Sequence, residues 1–252
     1  MNGRELTLSR NELTALLKRV FEGIFNRSCD FEALAHQIVW LERHGLGGMD
    51  LLRGCVDHLA DHDTASVEME PTPDGDDVEI ICVDAQGSSL LCIADMIADL
   101  TISRCAAHGA CHIEVTNVHE REAILPQLCR IRNSGFYVGT QSSEDNGDAI
   151  SFARIVGDTA LPELFGWNPS AQGRASGTLS LVAASSKAGL ISGLGNRWKE
   201  WPAPEITPAI LDDRYQTNLN NGIVVGDLSY LNKIAERVLV EASDASRQGA
   251  GE

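Results

Sequence analysis

The sequence predicts a single α/β domain over 1–252, made of a helical N-terminal layer (1–60), a sheet-containing core (78–241) and a polar tail (242–252). Three observations predict it. Apolar residues recur at helical spacing through the first sixty positions, whereas from Val78 short β-branched runs alternate with segments long enough to be helices. The chain has 252 residues, 43% of them hydrophobic, which is enough to bury one full core. Strands separated by helix-length segments favour a mainly parallel or mixed sheet, because parallel neighbours need a crossover connection.

Ser9-Arg10-Asn11-Glu12 opens the first helix as a capping box, and Leu13, Leu16, Leu17, Val20 and Ile24 form its apolar face. A second helix is predicted from Phe31 to His44, with Asp30 as its cap, Leu34, Ile38, Val39 and Leu41 as its buried stripe, and Gly45 as its stop. A third covers Met49 to Leu59. Val78 to Val83 then reads as a strand, Leu90 to Cys105 as a helix and Cys111 to Val115 as a second strand. Glu120 to Arg132 is expected to be one helix, and Gly135 to Thr140 a third strand. Ala149 to Val156 and Thr178 to Ala184 supply further strands, and the Gly-, Pro- and Trp-rich stretch from Gly189 to Pro208 reads as an irregular loop. Asp227 to Glu241 is the last amphipathic helix, carrying Leu228, Leu231, Ile234, Ala235 and Val238.

Composition excludes several classes of partner. A formal charge of −16 repels phosphate backbones and anionic lipid, and Lys and Arg never gather into a basic run. Eight acids fall between Asp57 and Asp77 without one Lys or Arg, which reads as a solvated loop. No apolar run approaches the roughly 18 residues of a membrane span, and the polar start is unlike a signal peptide. Seven cysteines without a CxxC pair fit a reducing compartment. The expectation is a cytoplasmic protein that binds neither nucleic acid nor membrane.

Familiar catalytic motifs are missing. Cys105, His108, Cys111 and His112 crowd one helix-to-strand turn, whereas tetrahedral zinc sites join ligand pairs from separated stretches, so no metal is expected there. His58 and His62 share a helix face, but Leu59 stands where a zincin has its Glu. No GxSxG elbow or P-loop occurs, and Gly193-Leu194-Gly195 lacks the third glycine of a dinucleotide fingerprint.

Four stretches do resemble a known pattern. Ile113-Glu114-Val115-Thr116-Asn117-Val118-His119, then Gly135-Phe136-Tyr137-Val138-Gly139, then Leu164 to Ala171 around Asn168-Pro169, then Leu181 to Ser186, resemble in order the type-two malate/L-lactate dehydrogenase superfamily. Those enzymes show a strand ending in Asn-Ser-x-His, a Gly-Thr-Asn-Pro turn and an Asp-x-Ala-Thr-Ser segment. The opening helices and the C-terminal tail resemble a small bacterial family of uncharacterised domains, taken as a shortened branch of that superfamily.

This resemblance implies a non-Rossmann α/β fold, a homodimer, NAD(P) as a possible cofactor, and small 2-oxo or cyclic imino acids as substrates. It marks His119 and His44 as catalytic candidates, and Asn117, Asn168, Pro169, Ser185 and Ser186 as ligand-binding candidates. His44 lies in Arg43-His44-Gly45, a partial echo of the superfamily's Ser-His-Gly, and Trp167 replaces the small Thr of the turn. These departures lead to the expected function: binding of a small carboxylate metabolite, with redox chemistry lost or altered. The alternatives are an NAD(P)-dependent reductase, in which His119 or His44 is the acid, and a non-catalytic partner subunit.

Overall fold

A computed structural model describes residues 6–25, 29–61, 67–71, 80–144, 149–166, 176–195, 203–226 and 228–238. The chain is mixed α/β and gathers into two compact units, one of 1–63 with 214–252, the other of 64–213.

The first unit is helical. Strand β1 (Leu6–Leu8) leads into α1 (Arg10–Ile24), followed by α2 (Phe31–Arg43) and α3 (Gly48–Asp61). The capping box forms as expected: Glu12 N donates to Ser9 Oγ at 3.2 Å, and Ser9 N donates to the Glu12 carboxylate at 2.8 Å. Asp30 caps α2 by accepting from Ala33 N at 2.9 Å, and Gly45 ends it at φ +65°. Leu13, Leu17, Val20 and Phe21 of α1 are buried together with Ala35 and Ile38 of α2 and Leu52 of α3. A helix over 229–238, α8, packs back on α1, and Leu228, Leu231, Ile234 and Ala235 are its buried side. A side chain at Gly23 would place Cβ 2.5 Å from the Ile234 carbonyl oxygen. Gly23→Ala is therefore expected to cost ~1–2 kcal/mol despite better helix propensity, as a lowered urea midpoint would show. An unchanged midpoint would mean that the two helices separate at no cost.

The second unit is built on a seven-stranded sheet. Its strands are β2 (Glu68–Pro71), β3 (Ile80–Asp84), β4 (Ala110–Val118), β5 (Tyr137–Glu144), β6 (Ala149–Ile155), β7 (Glu163–Phe165) and β8 (Gly177–Ala184). They lie in the order β2-β3-β4-β8-β5-β6-β7. The sheet is mixed rather than mainly parallel: β3 and β4 pair in parallel, and every other pair is antiparallel. The parallel pair is joined by α4 (Leu90–His108), as the strand-helix-strand pattern requires. Because β8 inserts between β4 and β5, these two run the same way without touching. Alternation puts Ile113, Val115, Val138 and Leu181 on the face covered by α4 and α5 (Leu125–Asn133). Val182 and Ala184 point to the other face, beneath Leu190 of α6 (Lys187–Leu194).

Several expectations are corrected here. The helix expected from Glu120 to Arg132 divides into a 3₁₀ turn (Arg121–Ile124) and α5, and Pro126 in the first turn of α5 marks the new start. Part of the presumed loop after Gly189 belongs to α6, which Ser186 caps by accepting from Gly189 N at 3.1 Å. Helix α7 (Pro208–Asn221) and the three-residue strands β1, β7 and β9 (Ile223–Val225) are additional. β9 pairs with β1, Leu6 opposite Val225. Of the acidic stretch between Asp57 and Asp77, Asp57–Asp61 closes α3 and Glu68–Pro71 forms β2 against β3. The polar tail lies outside the described residues.

Candidate functional site

The two catalytic candidates lie in different units. His44 follows α2 in the helical unit, only 4% exposed, with its ring 4.1 Å from that of Trp40 and 5.3 Å from that of Tyr215. Its Nδ1 donates to the Trp40 carbonyl at 2.7 Å, which fixes the ring as a side-chain cap on its own helix. Arg43 stacks on the Tyr215 ring, 4.2 Å from its centre, and completes the cluster.

His119 lies in the sheet unit, half-buried, just beyond the C-terminal end of β4. Its backbone fastens that end to the start of α4: His119 N donates to the Ser88 carbonyl at 3.1 Å, and Leu90 N donates to the His119 carbonyl at 2.9 Å. Two residues earlier, Asn117 takes the left-handed conformation, φ +52°, which Asn tolerates better than most residues. Its amide donates to Asp84 Oδ1 at 2.9 Å, the oxygen that also accepts from Gln86 N at 2.8 Å. The Asn117 bond, with that of Gln86, holds the Asp84 carboxyl below its ordinary range. The Asn117 carbonyl accepts from Gly87 N at 2.8 Å. Asn117 thus ties the ends of β3 and β4 together.

The serines lie at the other end of the sheet. Ala184, the last residue of β8, pairs with Ala110 at the start of β4, and Ser185 N donates to the Gly109 carbonyl at 2.8 Å. The nine residues of β4 separate that edge from Asn117, a distance of roughly 25–30 Å at strand rise. Ser185 and Ser186 therefore do not meet His119 within the chain. Asn168 and Pro169 lie outside the described residues, as does His62. Cys105 and Cys111 are buried at the serine end, where a hydrogen bond from Cys111 lowers the Cys105 thiol below its ordinary value. His112 Nε2 is 2.9 Å from Ser180 Oγ, and burial lowers its titration.

The chemistry that was not read from the sequence lies directly after His119. Glu120, Arg121 and Glu122 are successive charged residues, yet they are 3%, 4% and 8% exposed. Glu120 adopts φ +49°, in the left-handed region that disfavours a long side chain. Burial pushes its carboxyl up to about 7, against a hydrogen bond from Ser89 and the attraction of Arg121 that pull it down. Burial also raises Glu122, again opposed by Arg121. One oxygen of each carboxyl, Glu120 Oε2 and Glu122 Oε2, is buried without a hydrogen-bond partner. Arg121 Nη1 donates to the Val118 carbonyl at 3.3 Å, and the guanidinium lies over Gly177, where an added Cβ would fall 2.5 Å from Nη1. An added Cβ would fall still nearer the Ser143 carbonyl oxygen, so glycine at 177 is required by the β5 backbone as well as by the Arg121 head.

These groups border a small recess of ≈ 20 Å³ at the carboxyl ends of β4 and β5. Arg121, Glu122, Thr140, Ser142 and Ser151 line its polar side, and Leu125, Phe152 and Leu179 its apolar side. Ser142 Oγ and Ser151 Oγ are 2.6 Å apart, and Thr140 Oγ1 donates to the Ser180 carbonyl at 3.0 Å. That is room for about one water molecule. Among the described residues, no His, Cys, Asp and Glu side chains cluster as a metal would require, and no helix is long and apolar enough to cross a membrane.

This arrangement is carried by a dehydrogenase-like fold. The structure resembles malate dehydrogenase from Pyrococcus horikoshii OT3 with a TM-score of 0.64 at 12% identity, covering 94% of this chain and 99% of that one. It resembles Δ1-piperideine-2-carboxylate reductase from Pseudomonas syringae pv. tomato with a TM-score of 0.61 at 14% identity, over 91% and 99% of the two chains. Sulfolactate dehydrogenase from Methanocaldococcus jannaschii gives a TM-score of 0.60 at 9% identity, over 94% and 97%. At such identities the likeness is one of fold. In sequence, residues 8–87 match a family described as "Protein of unknown function (DUF3726)". Both parts of the resemblance read from the sequence are thus met, a domain of unknown function and a malate/lactate-dehydrogenase-like scaffold. No curated protein matches the chain in sequence.

Proposed function

We propose that this protein binds a small carboxylate metabolite on a malate/lactate-dehydrogenase-like, non-Rossmann scaffold, as a cytoplasmic homodimer whose redox chemistry is lost or altered. The observation that carries the reading is the likeness of fold over more than nine-tenths of the chain to enzymes named for malate, Δ1-piperideine-2-carboxylate and sulfolactate. All three names denote small carboxylates. The sheet order, with its single parallel pair, differs from that of a doubly wound dinucleotide fold and supports the non-Rossmann part. Altered chemistry is supported by His44, which is buried against the rings of Trp40 and Tyr215.

His119 is proposed as the group that meets the ligand at the end of β4, beside Asn117. Asn168, Pro169, Ser185 and Ser186 are kept as ligand contacts of the homodimer, since strand β4 separates the serines from His119 within one chain.

Thermal unfolding tests the reading. L-Malate or L-lactate is expected to raise Tm, because a ligand that binds only the folded state stabilises it, while NADH and NADPH leave Tm unchanged and are not oxidised. His119→Ala is expected to abolish the ligand-induced rise and to shift the unliganded Tm by less than ~2 °C. A rise with NADH or NADPH, with oxidation of the nucleotide by a 2-oxo acid, would establish the reductase instead. Indifference to both acids and both nucleotides would leave the partner-subunit alternative.

A further inference from the structure

The buried cysteines divide by what their sulfurs meet. Cys55 Sγ donates to the Leu52 carbonyl at 3.4 Å and Cys129 Sγ to the Leu125 carbonyl at 3.6 Å, each within its own helix. Cys105 and Cys111 instead share a hydrogen bond with each other, and no disulfide joins them.

The fold accounts for this pairing. Cys105 continues the buried stripe of Ile97 and Thr101 on α4, and Cys111 lies on the same face of β4 as Ile113 and Val115, which α4 covers. The chain reverses at Gly109, φ +81°, whose N–H donates to the Cys105 carbonyl at 2.9 Å. From that turn, four residues of helix rise ~6 Å and two residues of strand rise ~6.6 Å. The two thiols therefore stand at the same level on facing surfaces. Above them Ala106, Ala107 and His108 are exposed and Gly109 is half-buried. Opening only the last turn of α4 is enough to admit a small reagent, and helix ends open at low cost. The thiolate is the reactive form, and the bond from Cys111 favours it at Cys105 against the effect of burial. At Cys129, by contrast, burial pushes the thiol up to about 12.

We propose that Cys105 and Cys111 form a reversible oxidation site, in which a peroxide oxidises Cys105 and Cys111 resolves it as a disulfide across the α4–β4 turn. The Cys105 thiolate attacks one oxygen of hydrogen peroxide, the O–O bond breaks, and Cys105 becomes a sulfenic acid as the other oxygen leaves as water with the thiol proton. The Cys111 sulfur then attacks the Cys105 sulfur. The S–S bond forms, the S–O bond breaks, and a second water carries off the Cys111 proton. Two electrons pass from the sulfurs to the peroxide, and a dithiol reductant returns them. A transient bond of this kind is compatible with a reducing compartment. It would close around Gly109, whose carbonyl accepts from Ser185 N at 2.8 Å, and so would fix the turn that fastens the end of β8.

Peptide mapping tests the site, since trypsin releases both cysteines in one peptide, 105–121, with no other cysteine. The folded full-length chain is treated with hydrogen peroxide, alkylated, and digested without reduction. The expected result is a peptide lighter by two hydrogen atoms than its reduced form and carrying no alkyl group, with two alkylatable thiols regained after dithiothreitol. Cys111→Ala removes the resolving sulfur, so peroxide should leave a sulfenic acid at Cys105 that dimedone traps, and Cys105→Ser should form no bridge. A peptide 105–121 that stays doubly alkylated while Cys29, Cys82 or Cys92 is oxidised would overturn the proposal. So would oxidation of Cys105 to a sulfinic acid in the wild type without a bridge to Cys111.

Discussion

Glu120→Gln is expected to make the protein more stable above neutral pH. Carrying a carboxyl from its ordinary 4.5 to about 7 on folding means that the folded state holds its proton more tightly than the unfolded state. Stability from this group is therefore greatest below pH 4.5, declines as pH rises through the interval to 7, and stays at the lower level above it. The difference across that interval corresponds to ~3 kcal/mol. Glutamine retains an oxygen that can accept from Ser89 and does not titrate, so the variant lacks this decline. Urea unfolding should then show near-identical stability at pH 4.5 and a gain approaching ~3 kcal/mol at pH 8. Some decline persists in the variant, because Glu122 is raised by burial in the same direction. Equal stability of the two proteins at pH 8 would show that Glu120 ionises without penalty.

That a charged residue should weaken its own fold at neutral pH has a parallel in the neighbouring backbone. Asn117 and Glu120 stand at positive φ on either side of His119, and Gln86 does so in the turn that faces them. Non-glycine residues in this region cost of order 1–3 kcal/mol each and persist where the surroundings over-determine them. Here the surroundings are the Asp84–Asn117 bond and the backbone bonds that fasten β4 to the start of α4. Strain, buried charge and unmatched oxygens collect at the carboxyl end of the parallel pair, where open α/β sheets bind their ligands.

The parts of this fold that depend on neighbouring residues were legible in the sequence. Helix α1 follows from Ser9, Glu12 and a regular apolar stripe, and the β3-α4-β4 crossover follows from two β-branched runs flanking one helix. Strand order was not legible. That β8 slides between β4 and β5 depends on which edges meet after the chain has passed through more than thirty further residues, and no local pattern encodes it. Helix α7 was missed because it buries only Leu211, so it has no stripe to read. The site was half legible. Asn117 and His119 stood out by resemblance, whereas Glu120-Arg121-Glu122 fell unremarked within the helix expected from Glu120 to Arg132. The usable signal was its context: three charges enclosed between Val118 and Ala123-Ile124-Leu125, with Pro126 forbidding a helix that continues unbroken from Glu120.

The largest loss is expected from Arg121→Met. Methionine fills a volume comparable to the arginine stem, so the change removes chiefly the charge that Glu120 and Glu122 share. Removing one partner of a buried charged set typically costs 3–5 kcal/mol, because the remaining charge is left uncompensated, and a loss of this order is expected at pH 8. The pH dependence separates electrostatics from packing. Without Arg121 both carboxyls rise further in the folded state, so protonation compensates the variant, and its deficit should shrink as pH is lowered to 5. Adding Glu120→Gln to the variant should recover part of the loss at pH 8 and little at pH 5, a coupling that a double-mutant cycle reads directly. A deficit equal at both pH values, and untouched by Glu120→Gln, would mean that Arg121 serves only to fill space over Gly177. The Glu120-Arg121-Glu122 segment would then be a packed corner of the sheet with no electrostatic role.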